Sequence, residues 1–295
     1  MAYNQPNTSP LRPLEFTGAG GLRLAAEAAG ESDAPPVLLL HGGGQTHHAW
    51  ASTALRLAEA GYLAIALDAR GHGDSQWAAD GDYSGDALVA DLACVCASLH
   101  SPPALVGASM GGLTSLLAIG EGPPDFARAL VLVDIATRLE PEGVARVLDF
   151  MSAHTDGFAS LEEAAEAVAA YNPHRKARGT AGLRKNLRQR DDGRWYWHWD
   201  PRFLDHATRS SAGESLVQQE RREQAAQRVR IPTLLVRGGS SDVVSAEGAR
   251  ELQKLIPHAE LFDVQDAGHM VAGDRNDVFS NAVIDFLRRK LPAVS

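Results

Sequence analysis

The stretch Leu105-Val106-Gly107-Ala108-Ser109-Met110-Gly111-Gly112-Leu113 places one serine among glycines directly after an apolar run. A serine at a tight strand-to-helix turn presents its hydroxyl outward, and flanking glycines permit a backbone approach that a Cβ would block. In that setting Gly107-x-Ser109-x-Gly111 reads as the seat of a nucleophile. A serine hydroxyl reacts poorly near neutral pH, so the chain must also supply a base and a group that orients the base. His269 stands in VQDAGHMV (264–271), beyond the last strand-like run and before a terminal helix expected over 276–290. In a parallel sheet that position falls at the carboxyl edge, the edge that carries Ser109. Asp242 follows the strand-like run 233–236; the glycines and serine pair beside it allow its loop to turn inward, and it completes the order Ser, Asp, His. It is taken as the orienting carboxylate. Asp134, after the run 129–133, is read as a support for loops at a strand end.

Acyl transfer also needs donors for the oxyanion that develops on a substrate carbonyl, and backbone amides are the usual ones. His41-Gly42-Gly43-Gly44 follows the run 37–40 and offers amides uncovered by side chains, and the amide of Met110, next to the serine, adds another. No Gly-x-x-x-x-Gly-Lys pattern accompanies these glycines, so a phosphate cradle is not the expectation.

The elements that position these residues follow from the apolar periodicity. Extended stretches at 14–17 and 22–28 flank the turn signal Gly18-Ala19-Gly20-Gly21 and predict an antiparallel hairpin. Short apolar runs at 37–40, 62–67, 104–106, 129–133, 233–236 and 260–264 then alternate with helix-length stretches, the pattern of a mainly parallel sheet covered by helices on both faces. The rhythm breaks once, between Ile135 and about Arg230, over a length no single crossover helix fills. The expected organisation is a core of residues 1–135 and 231–295 with an inserted helical cap over 136–230. Within that insert, the basic stretch 174–190 reads as a solvated face or as an attractor of anionic substrates. Trp195, Tyr196, Trp197 and Trp199 either pack the cap on the core or line an apolar pocket. Gly42, Trp50, Trp195 and Trp197 are the expected substrate-contacting positions.

The chain has 295 residues and a net charge of −9, which disfavours nucleic acid as a partner because phosphate contacts need clustered positive charge. Its polar, proline-rich start lacks the apolar core of a signal peptide, and no apolar run approaches a membrane span. Cys94 and Cys96 would point to opposite sides of a helix and are read as helix residues rather than a disulfide or metal site. A soluble protein of a reducing cytoplasm, without membrane association and present as a monomer or small homo-oligomer, is the expectation.

Taken together, HGGG at 41–44, Asp68-Ala69-Arg70-Gly71-His72-Gly73-Asp74-Ser75, GASMGG at 107–112, and Asp242 with His269 resemble the α/β-hydrolase superfamily, closest to its capped carboxylesterase, lactonase and cofactor-free haloperoxidase branch. The resemblance implies an eight-stranded, mainly parallel sheet with a helical cap. It implies Ser109 as nucleophile, His269 as general base and acid, Asp242 as its partner, and the amides of Gly43 and Met110 as the oxyanion hole. The segment 68–75 would be a structural loop held by local hydrogen bonds. A small ester or lactone is the implied substrate, with neither metal nor organic cofactor. Epoxide hydrolases and haloalkane dehalogenases of this fold carry aspartate where Ser109 stands, which argues against both activities. Perhydrolysis, hydrolysis of a carbon–carbon bond and slow-turnover ligand reception use the same residues and stand as alternatives.

Overall fold

In the strands 36–40, 104–108, 129–133 and 233–238, successive apolar side chains alternate between two buried faces. Leu38, Leu40, Leu105, Leu130, Leu132 and Leu235 enter one core cluster, while Val37, Leu39, Val106, Val131, Val133, Leu234 and Val236 enter another. This period of two, with both faces apolar, requires helices on each side. The structure is a computed structural model that describes residues 10–171, 180, 182–208, 212–265, 267–269 and 276–292.

The strands are β1 (Arg12–Thr17), β2 (Arg23–Ala29), β3 (Pro36–Leu40), β4 (Leu63–Leu67), β5 (Ala104–Ala108), β6 (Ala129–Val133), β7 (Leu187–Gln189), β8 (Trp195–Trp197), β9 (Thr233–Gly238) and β10 (Glu260–Val264). Eight of them form one sheet in the order β1-β2-β4-β3-β5-β6-β9-β10. β1, β2 and β4 pair antiparallel, and every pairing from β4 to β10 is parallel. All eight coincide with the extended stretches and apolar runs legible in the sequence. Helices α1 (Ala51–Glu59) and α9 (Asn276–Lys290) cover one face; α2 (Gly85–Ser98), α3 (Met110–Glu121) and α8 (Ala246–Leu255) cover the other. Cys94 and Cys96 are free thiols on α2, and burial pushes the Cys96 thiol up to about 12.

Between β6 and β9 lie α4 (Pro141–Ser152), α5 (Leu161–Tyr171), the antiparallel pair β7–β8, α6 (Arg202–Thr208) and α7 (Ala212–Arg228). The insertion is therefore not purely helical. Nor does all of it belong to the cap: Ala225, Ala226 and Val229 join the main core cluster, so α7 is a helix of the core and the expected cap boundary at 230 does not follow the packing. A Cβ on Gly120 of α3 would stand 2.4 Å from Ala225 Cα, so the two helices meet backbone to backbone. Gly120→Val should lower unfolding stability by about 3 kcal/mol, overpacking exceeding the gain in helix propensity. Urea denaturation checks this, and an unchanged midpoint would return α7 to the cap.

The inserted segment between β6 and α7 is fastened to the loop after β4. Gly73 donates its amide to the His198 carbonyl at 2.7 Å, and Asp200 donates its amide to the Gly71 carbonyl at 2.8 Å. The Tyr83 hydroxyl donates to the buried Asp200 carboxylate, and Arg202 bonds both that carboxylate and the Ala78 carbonyl. Among the described residues no helix is long and apolar enough to cross a membrane.

Candidate active site

β5 ends at Ala108 and α3 begins at Met110, leaving Ser109 alone in the turn with φ 45° and ψ −113°. A Cβ on Gly107 would lie 2.4 Å from the Gly111 carbonyl oxygen, and one on Gly111 would lie 2.5 Å from that of Leu40. The glycines thus allow α3 to start hard against the ends of β3 and β5, and the left-handed φ lifts the serine out of the sheet.

Asp134 occupies the matching position one strand along. It directly follows β6, has φ 47°, and is fully buried. Its Oδ1 accepts the Gly238 amide at 2.8 Å; its Oδ2 accepts the Ser241 hydroxyl at 2.5 Å and the His269 Nδ1–H at 2.7 Å. A carboxylate can only accept, so the proton sits on Nδ1 and the lone pair of the neutral ring on Nε2.

The expected partner, Asp242, is not in this arrangement. It lies beyond the end of β9, and its carboxylate pairs with Arg146 of α4 at 2.8 Å on a partly exposed surface. The reason lies in the backbone. Asp134 turns inward at the strand end itself, whereas the chain from β9 runs on through Gly239, Ser240 and Ser241, and the Asp242 backbone packs against Gly143 of α4. Asp134, read from sequence as a loop support, does support a loop through Gly238 and Ser241, and it also holds His269.

The amides of the 41–44 run are partly committed. That of Gly42 donates to Gln45 Oε1 and that of Gly44 to His72 Nε2. The Gly43 amide has no such acceptor among the described groups. Met110 opens α3, so its amide is one of those a helix leaves without an intrahelical acceptor. The Gly111 amide donates to the His41 carbonyl at 3.2 Å and ties the two segments together.

Behind this run stand two neutral histidines that sequence reading left unassigned. His41 Nε2 accepts the Ala69 amide and His72 Nε2 accepts the Gly44 amide, so each ring carries its proton on Nδ1, against a backbone carbonyl. Burial pushes His41 below the usual imidazole range and His72 down to about 3. Burial alone would raise Asp68, but its hydrogen bonds with the His47 side chain and amide, together with the neighbouring His41 and His47 imidazoles, outweigh that and hold it below the usual carboxylate range. The segment 68–75 is therefore held by more than local bonds, since Ser75 also accepts the Ala25 amide of β2. A group whose folded pKa lies below its unfolded one, with a neutral base form inside, contributes stability above its unfolded value, near 6.5, and loses it as pH falls toward 3. Folding stability should thus decline below pH 6.5 by about 1.4 kcal/mol per pH unit for His72 alone. Denaturation at stepped pH checks this, and His72→Gln should flatten the slope by one proton.

Ser109, His269, Gly42, Gly43, Met110 and Trp50 all line one cavity of about 1380 Å³. Leu148, Met151, Trp197, Trp199 and Phe203 of the inserted segment line it as well. Trp195 does not line it; that ring packs with Phe158 and Leu187 inside the cap, beneath the Arg184 guanidinium. Trp199, one of the four aromatics weighed as pocket lining, does line the cavity, and so does Phe203, which the sequence did not single out. Of the basic stretch, Lys185 lines the cavity, while 174–179 and 181 lie outside the described residues.

A family model for the α/β hydrolase fold matches residues 35–275. The chain belongs to the α/β-hydrolase family. Esterase Rv0045c of Mycobacterium tuberculosis is 32% identical over 95% of this chain and 89% of its own length. The sn-1-specific diacylglycerol lipase ABHD11 of Mus musculus is 30% identical over 88% and 82%. A crystal structure of the Mycobacterium tuberculosis esterase superposes with a TM-score of 0.71 at 29% identity, covering 96% of this chain and 92% of that one. An E-2-(acetamidomethylene)succinate hydrolase superposes with a TM-score of 0.82 at 22% identity over 94% and 99%, a likeness of fold.

Proposed function

We propose that this α/β-hydrolase cleaves carboxylic esters or lactones through an acyl-enzyme on Ser109, with His269 as general base and acid and Asp134 as the carboxylate that orients it. The enzyme is a hydrolase acting on ester bonds. The observation that carries the finer reading is the Asp134–His269 hydrogen bond at 2.7 Å, which leaves Nε2 as the basic nitrogen in the cavity that Ser109 also lines.

In the acylation step His269 Nε2 takes the Ser109 proton as Oγ attacks the carbonyl carbon, and the carbonyl oxygen becomes an oxyanion. The amides of Gly43 and Met110 donate to that oxygen. The tetrahedral adduct collapses, the C–O bond to the alcohol breaks, and His269 returns its proton to the leaving oxygen. Water then enters, gives a proton to His269 and attacks the acyl carbon; the acid departs and Ser109 recovers its proton. Asp134 stays ionised throughout and stabilises the imidazolium. In a lactone the alcohol remains attached to the acid, with no change in the groups used. The cavity exceeds the roughly 300–1,000 Å³ common for small-ligand sites, so size alone does not restrict the acyl group to acetate.

The test is rapid mixing with p-nitrophenyl esters of increasing chain length, with mass spectrometry of the quenched protein. One acyl group on the peptide carrying Ser109, followed by continued turnover, is the expected result. An acyl group elsewhere would overturn the assignment, and release that stops after one equivalent would mean ligand reception rather than hydrolysis.

A further inference from the structure

The acyl chemistry requires no metal, and Glu27, His47 and His48 have no part in it. Glu27 lies on β2, and the two histidines open the short turn that leads into α1. Glu27 Oε2 stands 3.5 Å from His47 Nε2 and 3.9 Å from His48 Nδ1, and one donor atom from each residue lies within 4.8 Å of the other two.

His47 gives this cluster its direction. Its Nδ1 is 2.8 Å from Asp68 Oδ2, and its Nε2 is buried without a hydrogen-bond partner. Asp68 accepts, so Nδ1 carries a proton, and the ring turns its other nitrogen, Nε2, toward the Glu27 carboxylate. The Glu27 contact fails as a hydrogen bond despite its length, so a proton on Nε2 is not aligned to bridge the pair. A buried ring nitrogen that faces a carboxylate without an aligned hydrogen bond is a place where a bound cation satisfies both groups.

We propose that Glu27, His47 and His48 form a binding site for a divalent transition ion of the zinc class, with water as fourth ligand. Two imidazoles and one carboxylate select such an ion over magnesium or calcium, which prefer oxygen alone. Tetrahedral zinc with bonds of ~2.0–2.1 Å separates its ligand atoms by about 3.4 Å. The Glu27–His47 pair already stands at that spacing, and the 3.9 Å pair reaches it by a small rotation of Glu27. Asp68 behind His47 is the carboxylate that fixes a ligating imidazole's tautomer and orientation. The His48 and Glu27 side chains are 24% and 27% exposed against 5% for His47, so the outer side is open to an entering ion and its water. The cluster also continues the loop that bears Gly43, and His48 lines the cavity.

The test is calorimetric titration of the full chain, stripped with chelator and dialysed, with zinc sulfate at pH 7.5, together with thermal melts with and without zinc. One equivalent should bind and raise the melting temperature. Glu27→Gln and His48→Ala should each weaken binding at least ten-fold, while Ser109→Ala binds zinc as the unaltered chain does. Glu27→Gln should keep its ester hydrolysis in chelator, and melts in chelator matching the unaltered chain exclude misfolding. Binding that survives both site variants, binding lost in His269→Ala but kept in Glu27→Gln, or no bound equivalent would each overturn the proposal.

Discussion

Asp134→Asn is expected to lower kcat for ester hydrolysis roughly 10,000-fold, while Asp242→Asn stays within about three-fold of the unaltered enzyme. Asparagine keeps the shape of the side chain, and its one oxygen still accepts the Gly238 amide that now meets Oδ1. Its amide nitrogen then occupies the place of Oδ2, facing the Ser241 hydroxyl and His269 Nδ1. The hydroxyl can rotate to accept, but the imidazole must move its proton to Nε2 and ceases to be a base toward Ser109. Asp242 has only its partly exposed ion pair with Arg146 to lose, an interaction worth about 0–1 kcal/mol. Steady-state kinetics of the two variants on one p-nitrophenyl ester decide the matter; the reverse order of effects would return the orienting role to Asp242.

Ser109→Ala should lower kcat by on the order of 10⁵–10⁶-fold with little change in KM. Alanine retains the Cβ and backbone geometry and removes only the atom that forms the acyl bond, so apolar binding in the cavity persists. A fluorophosphonate probe should label the unaltered chain once and the variant not at all. Retained hydrolysis by the variant would refute the covalent mechanism.

The sheet was legible because its central strands, β3 to β6 and β9, are apolar on both faces and bounded by polar turns, and the elbow because Gly107, Ser109 and Gly111 occupy one tight turn. The proposed base, His269, was placed by its position after the last strand. The proposed orienting acid was not, since Asp134 and Asp242 both satisfy the order Ser, Asp, His. What separates them is a positive φ at one strand end and a longer loop at the other, and neither is written in residue types. The role of α7 escaped for a similar reason. Its segment is rich in charge, and the few small residues that meet Gly120 become informative only when the two backbones are seen to touch. The neutral histidines at 41 and 72 were hidden because their partners come from separate segments.

Ser109 and Asp134 are the two non-glycine residues with positive φ among the described residues, and each costs about 1 kcal/mol or more to hold there. Selection for durability alone would replace the serine with glycine, because nothing in the fold requires a side chain at that turn. Ser109→Gly should therefore be inert yet melt higher than the parent. Directed evolution that scores heat resistance without scoring turnover would drift toward such a sequence, so thermostabilisation of this enzyme calls for a screen that keeps catalysis under selection at every round.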